Sequence, residues 1–129
     1  MEVELFGKLT PTFTLQEAED YVASFTTESY GCIWLHHANG SQLAIMINGD
    51  QAYPHFFPAG DHPGWQVAPD DDGDWDTMID LLADNGEPTP MPHALIVPID
   101  RALAILAHYW QHGSRIDSET WTSLIDDEP

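Results

Sequence analysis

The residues of this chain equipped for chemistry are its carboxylates, its histidines and one cysteine. Five aspartates crowd into seven positions, as Asp70, Asp71, Asp72, Asp74 and Asp76, with Trp75 among them and Trp65 shortly before. Alternating Asp70, Asp72 and Asp74 resemble the start of a helix-loop-helix calcium site. Such a site also needs a glycine at its sixth position for the sharp turn and a bidentate glutamate at its twelfth. Counted from Asp70, those positions hold Trp75 and Leu81, so the run reads as a solvated loop. His108 and His112 would share a helix face as a zinc-binding pair does, but no glutamate follows His108 and no cysteine pair accompanies them. His36 and His37 would point to opposite faces of a strand. Cys32, within a strand pattern, reads as a buried thiol. No serine sits in a Gly-x-Ser-x-Gly elbow, no glycine-rich phosphate loop is present, and the carboxylates are too numerous for any two to stand out as acid and base. Catalytic residues, metal ligands and cofactors are therefore assigned to none, and the chain reads as a non-enzyme.

The aspartate run suits binding better than catalysis. Carboxylates so close repel one another, which a cationic partner would relieve, and tryptophan is enriched among interface anchors. Trp65, Asp70, Asp71, Asp72, Asp74, Trp75 and Asp76 are thus the candidate partner-binding residues. The whole chain carries the same sign: 22 acidic residues face only Lys8, Arg101 and Arg115, for a net charge of −19. That balance argues against nucleic acid or anionic membrane as partner, since both require a basic surface. It fits a partner with a basic surface, and equally an acidic coat that keeps a protein soluble in salt.

These residues must be positioned by a single domain spanning residues 1–129, a length that buries a core without staples. One cysteine allows no intrachain disulfide. No cationic start precedes an apolar run and no apolar stretch approaches the ~20 residues of a membrane span, so a cytoplasmic protein is expected. Alternating Val3 and Leu5 suggest a short edge strand or arm. Thr14 and Glu17 form a capping box ahead of Leu15, Ala18, Tyr21, Val22 and Phe25 at helical spacing, which predicts a helix from about Thr14 to Phe25.

From Gly31 the period becomes two, with turn residues at Asn39-Gly40 and Asn48-Gly49-Asp50, predicting a three-stranded meander through Phe57. One face should pack on helices, while the other could be wet and expose Trp34 and His36. Gly64 to Val67 suits a short fourth strand. Thr77 to Ala83 suits a strand or a helical turn, and Asn85 to Pro92, with three prolines, an irregular connection. A long helix should run from about Ile99 to His112, opened by Pro98 and closed by Gly113, with Ile99, Ala102, Leu103, Leu106, Ala107 and Trp110 forming its apolar stripe, widened by Ile105 and Tyr109. The last strand is Thr120 to Leu124. The fold class is α+β: an antiparallel sheet of four to six strands packed with an N-terminal helix and a long C-terminal helix.

The Pro98-led helix ending in an aromatic, then Gly113, Arg115 and Trp121 six places later, resembles the C-terminal signature of immunity protein family one of bacterial polymorphic toxin systems. The run Leu43 to Tyr53 and the Gly64-Trp65 pair resemble that family's central hairpin, and the likeness covers roughly residues 14 to 124. This chain departs from it at Ile116, where the family has proline, and in the segment Asp70 to Asp76. The resemblance favours strand for Thr77 to Ala83. It implies an immunity protein that binds and neutralises a cognate toxin stoichiometrically, the toxin being a nucleic-acid deaminase or nuclease. The alternative is a small acidic structural or regulatory protein-binding domain without a toxin partner. Within the signature, Trp121 is expected to pack on the sheet or long helix, and Arg115 to find a carboxylate or carbonyl.

Overall fold

The computed structural model describes residues 2–5, 8–10, 14–25, 30–59, 63–69, 72–82 and 88–124. Strands β1 (Glu2–Leu5) and β2 (Lys8–Thr10) precede helix α1 (Leu15–Val22). The meander follows as β3 (Tyr30–His36), β4 (Gln42–Asn48) and β5 (Gln51–Phe57), then β6 (Trp65–Val67). A hairpin of β7 (Met78–Leu82) and β8 (Pro88–Pro92) leads through one 3-10 turn (His93–Leu95) to β9 (Val97–Pro98), helix α2 (Ile99–His112) and β10 (Trp121–Ser123).

The α+β class holds, and every strand pairing among the described residues is antiparallel. The sheet is larger than the four to six strands expected. Among the described residues eight strands join it, in the order β10-β6-β5-β4-β3-β1-β2 with β9 pairing the start of β5, and β7-β8 form a second, two-stranded sheet. The additions are short pieces whose pairing depends on distant segments, which local periodicity does not report.

Local chemistry sets the boundaries. Thr14 and Glu17 make the reciprocal capping box, with Thr14 N–H donating to Glu17 Oε1 at 2.9 Å and Glu17 N–H to Thr14 Oγ1 at 3.1 Å. The helix itself ends earlier than expected, at Val22. Pro98 is the extended residue that opens α2, whose Ile99 N–H donates to the Asp50 carbonyl at 3.0 Å. Gly113 closes it in the left-handed conformation at φ 66°.

Helices cover one face of the sheet. Ile33, Leu35, Leu43, Ile45 and Ile47 meet Ala18 and Val22 of α1 and Ala102, Ile105, Leu106 and Tyr109 of α2 in the main core. Each fully buried aliphatic there contributes about 1.5 to 3 kcal/mol relative to exposure. The buried line of α2 is rotated from the expected stripe: Ile105 and Tyr109 are its centre, while Ile99, Leu103 and Trp110 pack on the core from the flanks. The second sheet face is not simply wet. The β7-β8 hairpin lies on it and forms a smaller core of Tyr53, Leu81 and Leu95 with Met46, Met91 and Ile96. Trp34 and His36 are half-buried rather than exposed.

The segment Asn85 to Pro92 is not all irregular connection, because its second half is β8. Pro88, Pro90 and Pro92 stand opposite Leu82, Asp80 and Met78, while Thr89 and Met91 stand opposite Leu81 and Ile79. Prolines at every second position lack N–H groups along one edge only. A strand keeps its ladder if that edge faces away from its neighbour and the N–H groups of Thr89 and Met91 face β7.

Candidate functional site

The aspartate run follows β6 and leads into β7. Asp70 and Asp71 lie outside the described residues. From Asp72 onward the loop has defined geometry. Asp74 Oδ1 accepts N–H bonds from Asp76 and Thr77, both at 3.0 Å, which folds the chain into a tight turn. Those bonds, with the Thr77 side chain foremost, hold the Asp74 carboxyl below the usual carboxylate range. Backbone bonds from Ala94 N–H to the Asp74 carbonyl at 2.7 Å and from His93 N–H to the Thr77 carbonyl at 2.8 Å tie the turn to the end of the hairpin. Asp74 is therefore a turn-forming residue as well as a surface charge.

This geometry thrusts apolar surface outward. Trp75 is 55% exposed and Met78 49%, the two most exposed large hydrophobic side chains among the described residues. Asp72, Asp74, Asp76 and Asp80 around them are all exposed. The sequence pointed to Trp75 and its aspartates; it did not single out Met78, which lies in the stretch Thr77 to Ala83 read as a strand or a helical turn.

Trp65 sits elsewhere. It is half-buried on β6 against the main core, opposite Ser123 of β10. Of the signature residues, Arg115 meets it directly. The Arg115 guanidinium carbon lies 3.9 Å from the Trp65 ring centre and 6.0 Å from that of Phe56. Arg115 thus meets an aromatic face where a carboxylate or carbonyl was expected, because β6 brings Trp65 under the loop that follows α2. Trp121 packs against the main core, its indole N–H donating to the Ile116 carbonyl at 3.1 Å. The remaining cation of this region, Arg101, makes a two-pronged pair with Glu119, through Nε to Oε2 at 2.9 Å and through Nη2 to Oε1.

The residues weighed for catalysis or metals lie apart. The His108 and His112 rings are 4.6 Å apart on the last turns of α2, and His108 Nε2 stands 3.3 Å from Ser114 Oγ. Cys32 is buried. Among the described residues no three His, Cys, Asp or Glu side chains are placed to hold one metal ion. No described helix is long and apolar enough to cross a membrane.

An α+β fold that exposes Trp75 and its neighbouring aspartates on a turn braced by backbone bonds, with no cluster of metal-ligating side chains among the described residues, is of a kind with small protein-binding domains. Residues 14–123 match the family model described as Immunity protein Imm1, and the chain belongs to that family of immunity proteins. No curated protein matches the sequence. An immunity role follows from the family, and with it a cognate toxin as partner.

Proposed function

We propose that this immunity protein neutralises a nucleic-acid-acting toxin, a deaminase or nuclease, in the cytoplasm by stoichiometric binding, and that it meets the toxin's basic surface with Asp70, Asp71, Asp72, Asp74, Trp75 and Asp76, with Trp65 supporting from β6. The observation that carries this reading is the exposed pair Trp75 and Met78 set among exposed aspartates. An enzyme that acts on nucleic acid needs a cationic groove, and such a groove attracts a protein of net charge −19 over distances longer than a contact. Trp75 supplies a rigid apolar anchor at the centre, where most interface energy concentrates, and the aspartates supply the charge that steers the encounter.

The test is binding of the purified toxin domain to a variant with Asp70, Asp71, Asp72 and Asp76 changed to asparagine. Asp74 is left intact because it forms the turn. Association should slow by about tenfold or more at low salt, and its dependence on salt should flatten. Trp75→Ala should act mainly on dissociation, weakening the complex by about 2 kcal/mol or more. Unchanged affinity and an unchanged salt slope would remove the loop from the interface.

A further inference from the structure

We propose that Arg115 is a preset fork for a carboxylate side chain of the bound toxin, a cationic contact within an acidic protein. The inference rests on the reading of the chain as a toxin inhibitor but uses residues other than the acidic loop. With 22 carboxylates in the chain, an arginine has many potential partners, and Arg101 has taken Glu119. Arg115 has taken none: among the described residues no carboxylate or carbonyl accepts a hydrogen bond from it, and its contact is the Trp65 ring at 3.9 Å. Stacking of this kind holds a guanidinium by its face. It leaves the N–H donors, which lie in the guanidinium plane, free to engage an acceptor.

Arg115 is only partly buried and lines an open groove of about 450 Å³ together with Ser114, Ile116, Asp117, Glu119 and Trp121. The other polar groups of this groove are mostly engaged. Glu119 holds Arg101, the Trp121 N–H holds the Ile116 carbonyl, and Ser114 Oγ faces His108. Asp117 is exposed, where water and salt weaken its influence. What the groove offers a partner is therefore a planar cation seated 3.9 Å over the Trp65 ring, whose donors no carboxylate or carbonyl takes among the described residues. A carboxylate matches that fork with two parallel bonds. A nucleic acid phosphate would be repelled by the protein as a whole, at net charge −19. A toxin carboxylate is held against the same repulsion by the attraction of the remaining interface.

The experiment measures association and dissociation separately, using the catalytically inactivated domain of the cognate toxin, with Arg115→Gln, Arg115→Lys and the four-asparagine loop variant. Arg115→Gln makes the protein one charge more negative. If Arg115 plays no part in binding, association with a basic toxin stays the same or quickens and dissociation does not change. The proposal differs in the second rate: association is no slower, but dissociation is faster by about tenfold or more. Arg115→Lys keeps the charge and a stem to cover Trp65 but loses the planar fork, so it should recover only part of that loss. Thermal melting of each variant separates loss of fold from loss of contact, and Arg115→Lys serves alone if Arg115→Gln does not fold. Dissociation unchanged in a folded Arg115 variant overturns the proposal while leaving the loop variant free to support toxin binding. Failure of the unaltered protein to bind the toxin domain overturns both.

Discussion

His55, on the interior strand β5, shows how burial gives a residue pH dependence. Its ring stacks on Phe57 with centroids 4.1 Å apart, meets Tyr53 edge-on, and places Nε2 3.0 Å from the Pro63 carbonyl. Burial pushes its pKa below the ordinary value, and the bond to Pro63 opposes this only in part. Folding therefore favours the neutral ring. Its contribution to stability is complete above the unfolded-state pKa of about 6.5 and is lost as pH falls through the lower folded value. The melting temperature should drop more steeply between about pH 7 and 5 in the native protein than in His55→Gln, and an NMR titration should place the His55 midpoint below that of a free histidine. A midpoint at or above it would refute this assignment. Tyr109 is a second residue whose polar end matters. Its hydroxyl donates to the Ser41 carbonyl at 2.8 Å and accepts from His37 N–H at 3.2 Å in a fully buried position. Tyr109→Phe leaves the His37 N–H and the Ser41 carbonyl only their bond to each other, at 3.0 Å, and should lower unfolding free energy by about 1 kcal/mol in a denaturant titration.

At the scale of elements, the end of α2 and the β3-β4 turn are one construction. Asn39 Nδ2 and Ser41 Oγ both donate to the Gly113 carbonyl, at 3.0 and 2.9 Å. A methyl group on Gly113 would lie 2.3 Å from Asn39 Nδ2 and 2.8 Å from His37 Nδ1, at a φ of +66° that side chains resist. Gly113→Ala should therefore destabilise the protein by about 1 to 3 kcal/mol, and more than Gly40→Ala, whose methyl would meet only Ala59 at 3.2 Å; equal effects would show that the clamp is not the reason. Gly113 as a helix stop was legible in the sequence, as were the Thr14 capping box, the Asn-Gly turns and the bounds of α2, because each is written within a few neighbouring residues. Its second role, against Asn39, was not, since the partners are 74 residues apart. The same limit hid the seat of Arg115 on Trp65, the hairpin over the second sheet face, and the strand at Pro88–Pro92, where prolines masked an alternation that only the register with β7 reveals. Trp75 and its aspartates could be proposed from composition alone. Their usefulness as a surface depends on the Asp74 turn and on the hairpin that anchors it.

For the whole molecule, the dominant fact is charge without compensation. Of the three cations, Arg101 is neutralised by Glu119 and Arg115 rests on a ring, so the 22 carboxylates have little to set against their mutual repulsion. Such repulsion destabilises the compact state and is weaker in the expanded chain, where charges are further apart. Salt shortens the Debye length from about 14 Å at 0.05 M to about 4 Å at 0.5 M, which removes most of the repulsion between carboxylates on different elements. The melting temperature should therefore rise over that range of sodium chloride. Chloride is the appropriate anion, because sulfate strengthens apolar burial by exclusion and would raise stability in any protein. Toxin binding should respond in the opposite sense, since the same screening weakens attraction to a basic partner and slows association. A complex that weakens while the free protein becomes more stable, in the same salt series, is the signature of an acidic surface that costs stability and speeds capture of the partner. A melting temperature that stays flat or falls with sodium chloride would show that the carboxylates are too far apart or too well solvated to repel, and would leave attraction to the toxin as a property of the Asp70 to Asp76 loop alone.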